Sequence, residues 1–319
     1  MNLSHINCIF CGKESKRIEW VENGFTGKRC DCGLLYISPR PNASEILSLY
    51  ASDEEIVSSQ SSHNAGLSKR LASRYRLKLI KKYMAQGSLL EIGSGDGYFL
   101  DESRLAGFEP YGVELNHKKA EFTKEQLGVP VETKPFTESS FGGIYFHIIC
   151  HFDVISHFYD PFSEFKKFNR SLKSNGILFF ETGNGGDLSR WWLRFIGRLQ
   201  YPQHLFLFSE KNIKQLCDQT GFEIIGFHRY SIFFQLGAIK LIQWFRKHLG
   251  KRFFKREKNL VRQGILKVPR RYSYLQVLLF KALILMSFFI RYKIGRLLPK
   301  TGPQTIIYIA KKAAASDSK

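Results

Sequence analysis

Four thiols near the N-terminus fall in two pairs, Cys8-Ile9-Phe10-Cys11 and Cys30-Asp31-Cys32, with 18 residues between them. Paired cysteines at such a spacing are zinc-ribbon organisation, and Gly12 and Gly33, which follow the two pairs, help each knuckle to turn. The second pair is C-x-C rather than C-x-x-C. The expected zinc shell is Cys8, Cys11, Cys30 and Cys32, with entry of His5 or a reduced, metal-free knuckle or redox pair as alternatives. A second feature is Leu89-Leu90-Glu91-Ile92-Gly93-Ser94-Gly95-Asp96-Gly97-Tyr98, a strand running into a glycine-rich turn and then a helix. Glycines there let the backbone turn tightly and approach a ligand. A dinucleotide fingerprint needs G-x-G-x-x-G, but position 98 is Tyr. Glu91 at the strand end repels a pyrophosphate and suits an ammonium group, so the pattern favours a cationic, phosphate-free ligand. Downstream, Glu114 in Tyr111-Gly112-Val113-Glu114-Leu115 ends a second strand, where an acid accepts both hydroxyls of a ribose.

With these residues the chain resembles the class I S-adenosylmethionine-dependent methyltransferases, over about residues 70–228 and the final strand. The resemblance implies that the loop at Gly93, Gly95 and Gly97 wraps the methionine part of the cofactor, with Glu91, Ser94 and Tyr98 as further cofactor-binding candidates. It places Glu114 on the ribose and Leu115 on the adenine. Val154, Ile155, His157, Asp160 and Pro161 match a V-[IL]-E-H-x-x-D-P stretch of one branch, with Ser156 in place of its acid and His147 where an Asp is usual. Tyr201 to Ser209 resembles the P-x-H-x-x-x-[FY]-[ST] stretch of that branch, and Cys32 to Pro41 the C-G-L-x-[FY]-x-x-P-R-P of its zinc-headed members. Those members imply modification of a bacterial glycan or small metabolite.

Methyl transfer to a hydroxyl requires positioning, desolvation and one proton acceptor. His157 and His204 are the catalytic candidates, each with a hydrogen-bonded loop or cap role as its alternative. His151 and Phe152, just past the fourth strand, are expected to wall the cofactor pocket. Glu181 and Asn184 follow the fifth strand and could hold polar groups of a substrate or serve as caps.

Positioning these groups calls for a parallel α/β sheet, in which short apolar runs alternate with helical stretches. Strands are expected at 89–92, 110–115, 128–132, 144–150, 176–181, 222–228 and 305–310, and helices at 100–106, 117–127 and 161–172. The expected fold is therefore a Rossmann-like seven-stranded sheet with a zinc-ribbon-like head and a helical insertion before the last strand. Cys150 and Cys217 sit in apolar contexts and read as core.

The chain has 319 residues, 44% of them hydrophobic, which excludes disorder, collagen and a disulfide-stapled miniprotein. Its formal charge is +20, and residues 229–300 hold 18 Lys and Arg against Glu257 alone, so an anionic partner is expected. Val277 to Ile290 is nearly all apolar, but it is short of the ~20 residues a span needs and carries Lys281. The expected division is a head at 1–40, a linker at 41–69, the methyltransferase core at 70–228, a basic amphipathic insertion at 229–302 lying on an anionic membrane surface, the final strand at 303–312 and a tail at 313–319. The N-terminus lacks a basic region followed by an apolar one, so a cytoplasmic, membrane-associated enzyme is expected. O-methylation of a glycan, lipid-linked sugar or small metabolite is the favoured activity. An RNA methyltransferase and a non-catalytic cofactor-binding adaptor are the alternatives.

Overall fold

The computed structural model describes residues 2–51, 63–139, 141–231, 233 and 285–313. The N-terminal part contains β1 (Leu3–Ser4), β2 (Ile18–Glu22), β3 (Phe25–Arg29), β4 (Leu35–Ile37) and β5 (Arg40–Pro41), followed by helices α1 (Ala43–Ala51) and α2 (His63–Ile80). Next come β6 (Gly87–Ile92), α3 (Tyr98–Leu105), β7 (Phe108–Val113), α4 (His117–Leu127), β8 (Val131–Glu132), β9 (Phe146–Phe152), α5 (Pro161–Ser171) and β10 (Leu172–Gly183). Helix α6 (Arg190–Ile196), β11 (Phe206–Leu207), α7 (Glu210–Gln219), β12 (Phe222–Tyr230) and β13 (Thr305–Lys312) complete the order.

Seven strands form one sheet in the order β12-β13-β10-β9-β6-β7-β8. Pairing is parallel from β10 to β8, and β13 runs antiparallel to β10. All seven expected strands are present, with shifted ends. The third is confined to Val131–Glu132 because Gly128, in the left-handed region, closes α4 by donating to the Lys124 carbonyl, and Pro130 has no N–H to give the ladder. The fifth starts earlier than expected, at Leu172. Helix α4 spans the expected residues, with Asn116 as its N-cap.

The head is not self-contained. Its sheet has the order β11-β4-β3-β2, so Phe206 and Leu207, 166 residues beyond the start of β5, supply the edge strand against Tyr36 and Leu35. Residues 41–69, expected to be a linker, instead contain α1 and the start of α2. Residues 1–228 together with 305–319 form one compact unit, and residues 229–304 another. In the second unit Arg291 lies over the Tyr230 ring at 4.6 Å and donates to its hydroxyl, and Tyr230 packs on Tyr292. The expected membrane-lying insertion falls largely on residues 234–284, outside the described residues. No described helix is long and apolar enough to cross a membrane.

Under the sheet's carboxyl edge a buried ion pair ties α2 to β10. Arg76 reaches both oxygens of Glu181, at 2.5 and 3.0 Å, and Glu181 is fully buried. Burial holds the Glu91 carboxyl well above the usual carboxylate range, an effect that Arg76 opposes and Glu114 reinforces. A buried charge that loses its partner cannot recover its hydration, so Arg76→Met is expected to cost about 3–5 kcal/mol in chemical denaturation. A loss within error of zero would show that Arg76 is not the compensating charge.

Candidate active site

The turn after β6 owes its shape to Gly93, Gly95 and Gly97, all at positive φ (72°, 53° and 72°). At Gly93 a Cβ would lie 2.8 Å from the Val154 side chain, and at Gly97 2.7 Å from Thr123 Oγ1, so these positions also need the missing atom for close packing. Gly95 has open space around it. Its N–H donates to Glu114 Oε2 at 2.7 Å, and Asn116 N–H donates to Oε1 at 2.9 Å, which fixes the carboxylate beside the turn.

Beside Gly93 and Glu114 opens a cavity of about 530 Å³. That lies within the roughly 300–1,000 Å³ range of small-molecule sites. One wall carries Ile92, Gly93, Val113, Glu114, Leu115, Phe136 and Phe152; the other carries Tyr50 of α1 and His157, Phe158, Tyr159, Asp160 and Glu164. Asp160 caps α5 by accepting from Phe162 N and Ser163 N, with Pro161 in the first turn, which explains the D-P step locally. The Tyr50 hydroxyl donates to the Gln203 carbonyl at 2.9 Å and lies 2.7 Å from His157 Nδ1, itself 2.9 Å from that carbonyl. Burial lowers the His157 pKa.

Of the expected cofactor residues, Gly93, Glu114, Leu115 and Phe152 line the cavity, while Ser94, Gly95, Gly97 and Tyr98 build the turn behind it. Tyr98 faces α2, with Lys69 and Arg70 over its ring. Glu91 does not line the cavity: it is buried beneath the turn, where desolvation favours its neutral form, and so it departs from the expected ammonium-facing carboxylate. His151 also departs from expectation. Successive strand residues face opposite ways, so Phe152 meets the cavity and His151 is buried among Phe158, Phe165, Phe168 and Phe180, its pKa pushed down to about 3. His204 lies behind His157, ring centroids 4.6 Å apart, away from the cavity lining, and burial pushes its pKa down to about 3. Glu181 and Asn184 are buried outside the cavity lining.

Among the cavity residues that escaped the sequence reading are Tyr50 and Glu164. Tyr50 belongs to a helical face, Ala43, Ile46, Leu47 and Tyr50, whose spacing was legible in the supposed linker. Glu164 lies in the first turn of α5, where an acid suits the helix dipole and draws no notice. Its Oε2 is buried without a hydrogen-bond partner among the described residues, and burial raises its pKa to about 7.

The four head thiols meet. Cys8, Cys11, Cys30 and Cys32 present sulfurs all within 4.8 Å of one another, and none forms a disulfide. Tetrahedral zinc–thiolate bonds of about 2.3 Å place sulfurs roughly 3.8 Å apart, so the C-x-C pair fits such a shell without His5. Asn212 of α7 donates to the Cys32 carbonyl, bracing the second knuckle.

The sheet order and the glycine turn facing a strand-end acid define a class I methyltransferase scaffold. Residues 64–226, just over half of the chain, match the family model described as "Methyltransferase domain", and the chain belongs to that family as a class I S-adenosylmethionine-dependent methyltransferase. Among solved structures it is similar to phosphoethanolamine N-methyltransferase 2 of Haemonchus contortus in complex with S-adenosylmethionine, at 16% identity and TM-score 0.44. That alignment covers 76% of this chain and 53% of the Haemonchus chain, so this chain spans about half of that enzyme's length. It is also similar to YcgJ of Bacillus subtilis (15% identity, TM-score 0.46, 76% of this chain and 100% of that one). A third similarity is to the mycolic acid cyclopropane synthase CmaA1 complexed with S-adenosylhomocysteine (14%, TM-score 0.47, 75% and 83%). No curated protein matches the chain.

A carboxyl whose pKa is higher in the fold than in the unfolded chain binds its proton more tightly when folded. The stability it contributes is present below the unfolded value and is lost as pH rises through about 7. Glu164→Gln has no charge to bury, so its Tm is expected to exceed that of the natural protein at about pH 8 and to match it at about pH 4. Identical differences at both pH values would refute a buried, neutral-range carboxyl.

Proposed function

We propose that this methyltransferase O-methylates a glycan, a lipid-linked sugar or a related small metabolite at the cytoplasmic face of a membrane. The observation that carries the acceptor class is the cavity's charge: Glu114, Glu138, Asp153, Asp160 and Glu164 line it against a single cation, Lys119. Such a lining repels a phosphate-dense strand and accommodates hydroxylated neutral groups, which argues against RNA. S-adenosylmethionine, when bound, supplies a methyl group made electrophilic by its sulfonium.

Glu114 accepts the ribose hydroxyls, Leu115 packs on the adenine, and Gly93 to Gly97 pass close to the methionine part. Tyr50 and His157, locked to the Gln203 carbonyl, position the acceptor, and Phe136, Phe152 and Phe158 exclude water. Glu164 takes the proton from the acceptor hydroxyl. It is preferred over His157, whose Nδ1 is already engaged, and over His204, which stands back from the cavity. With the cofactor held there, the deprotonated acceptor oxygen would take the methyl group as the carbon–sulfur bond breaks, releasing a neutral thioether. Cys8, Cys11, Cys30 and Cys32 hold a structural zinc.

Calorimetric titration with S-adenosylhomocysteine is expected to give micromolar binding that Glu114→Ala abolishes, with one zinc per chain in the same sample. A folded, zinc-loaded protein that does not bind would sink the assigned cofactor site. Tritiated methyl transfer to a panel of methyl glycosides and lipid-linked sugars tests the acceptor. With the best substrate, kcat/KM is expected to rise with pH through about 7, and Glu164→Gln to flatten that rise and lose about 100-fold or more. An unchanged profile in the variant would remove Glu164 from the proton step.

A further inference from the structure

Helix α6 reads Arg190-Trp191-Trp192-Leu193-Arg194-Phe195-Ile196 and is followed by Gly197-Arg198. Leu193 is fully buried and fastens the helix to the protein, whereas Trp191 is 62% exposed. Residues four apart share a helix face. Trp191 accordingly stacks on Phe195, with ring centroids 5.8 Å apart and 17° between planes.

Arg190, Arg194 and Arg198 are all exposed around this aromatic plate, and no acid occurs between residues 190 and 198. Arg190 and Arg198 reach Glu19 and Glu22 at 3.3 and 3.5 Å. Glu19, however, is already held by Arg17 and Arg29, so guanidinium groups outnumber carboxylates around α6. An exposed indole edged by arginines is the composition that sits at the headgroup level of a bilayer, and cations there attract anionic lipid. Connectivity links this surface to the cavity. The Gln203 carbonyl, which holds Tyr50 and His157, is seven residues beyond Ile196. Even fully extended, that chain spans no more than about 25 Å.

We propose that α6 is a membrane-contact surface, with Trp191 entering the interface of an anionic bilayer and Arg190, Arg194 and Arg198 meeting lipid phosphates. The surface gives the membrane-face part of the proposed function a location, and it does not depend on the methyl-transfer chemistry. It is also distinct in sequence from the basic segment at 229–302.

The test mixes the full chain with vesicles of phosphatidylcholine and phosphatidylglycerol whose acyl chains are brominated, and reads tryptophan fluorescence. The chain has four tryptophans, so the difference between the natural protein and Trp191→Phe isolates the contribution of Trp191. Anionic brominated vesicles are expected to quench the natural protein, Trp191→Phe to lose most of that quenching, and phosphatidylcholine alone to do neither. Trp191→Ala combined with Phe195→Ala is expected to bind anionic vesicles at least about tenfold more weakly. Vesicle binding with no quenching assigned to Trp191 would overturn the proposal and move membrane contact to residues 229–302. Absence of binding to anionic vesicles would overturn it outright. S-adenosylhomocysteine titration of the same samples reports separately on the methyltransferase site and on the folding of each variant.

Discussion

One wall of the cavity depends on one strand pairing, that of β11 with β4. Through it the segment following β10 becomes part of the cysteine-bearing sheet. The contact leaves no room for error: a Cβ on Gly186 would fall 2.3 Å from Ser209 N and 2.6 Å from the Gly33 carbonyl oxygen. Arg29 donates to the Gly186 and Leu188 carbonyls, and the Ser209–Asn212 capping box starts α7 beside Cys32. Once these elements are fixed, Gln203 has little freedom, and its carbonyl sets Tyr50 and His157. The cysteine head thus shapes the cavity without lining it.

A second route from the head to the cavity runs through Arg40. Its guanidinium lies 3.8 Å from the centre of the Tyr159 ring and donates to the Tyr159 carbonyl, and Tyr159 lines the cavity. Helix α1 follows at once and adds Tyr50. The run from Cys32 to Pro41 therefore leads from the thiol cluster to the cavity wall, which gives a physical reason for a cysteine-rich head on this methyltransferase. Leu35 and Tyr36 pair with β11, and through Gln203 that pairing reaches the same wall.

Much of this was legible in the chain itself. Strand–glycine–helix punctuation and the apolar runs gave all seven strands, because a parallel sheet buried on both faces needs continuous apolar segments. The glycine turn and Glu114 were legible because few other residues tolerate those backbone angles, and an acid at a strand end has a defined neighbour. What escaped depended on distant pairing. Nothing near Phe206 or Leu207 announces that they complete a sheet begun at residue 18, and nothing near Arg76 announces Glu181. His151 was misread because its neighbour Phe152 has the cavity-facing parity and only one of the two can have it. Glu164 was missed because an acid in a first helical turn has an ordinary explanation, and its desolvation by the cavity wall is a tertiary fact.

The histidines of the two loop motifs illustrate how a conforming residue can serve geometry. His157 Nδ1 lies within 2.9 Å of both the Tyr50 hydroxyl and the Gln203 carbonyl, and its ring packs on His204. Protonating that imidazole would place a charge in a half-buried site, and burial opposes it more strongly than the Gln203 carbonyl favours it. Glu164 is also desolvated, but its Oε2 has no partner to surrender among the described residues and its pKa stands near neutrality. A group that must exchange a proton in every turnover is better separate from the group that holds the wall in place. On the proposed division of labour, His157 and Tyr50 would hold the fixed frame and Glu164 would carry the proton.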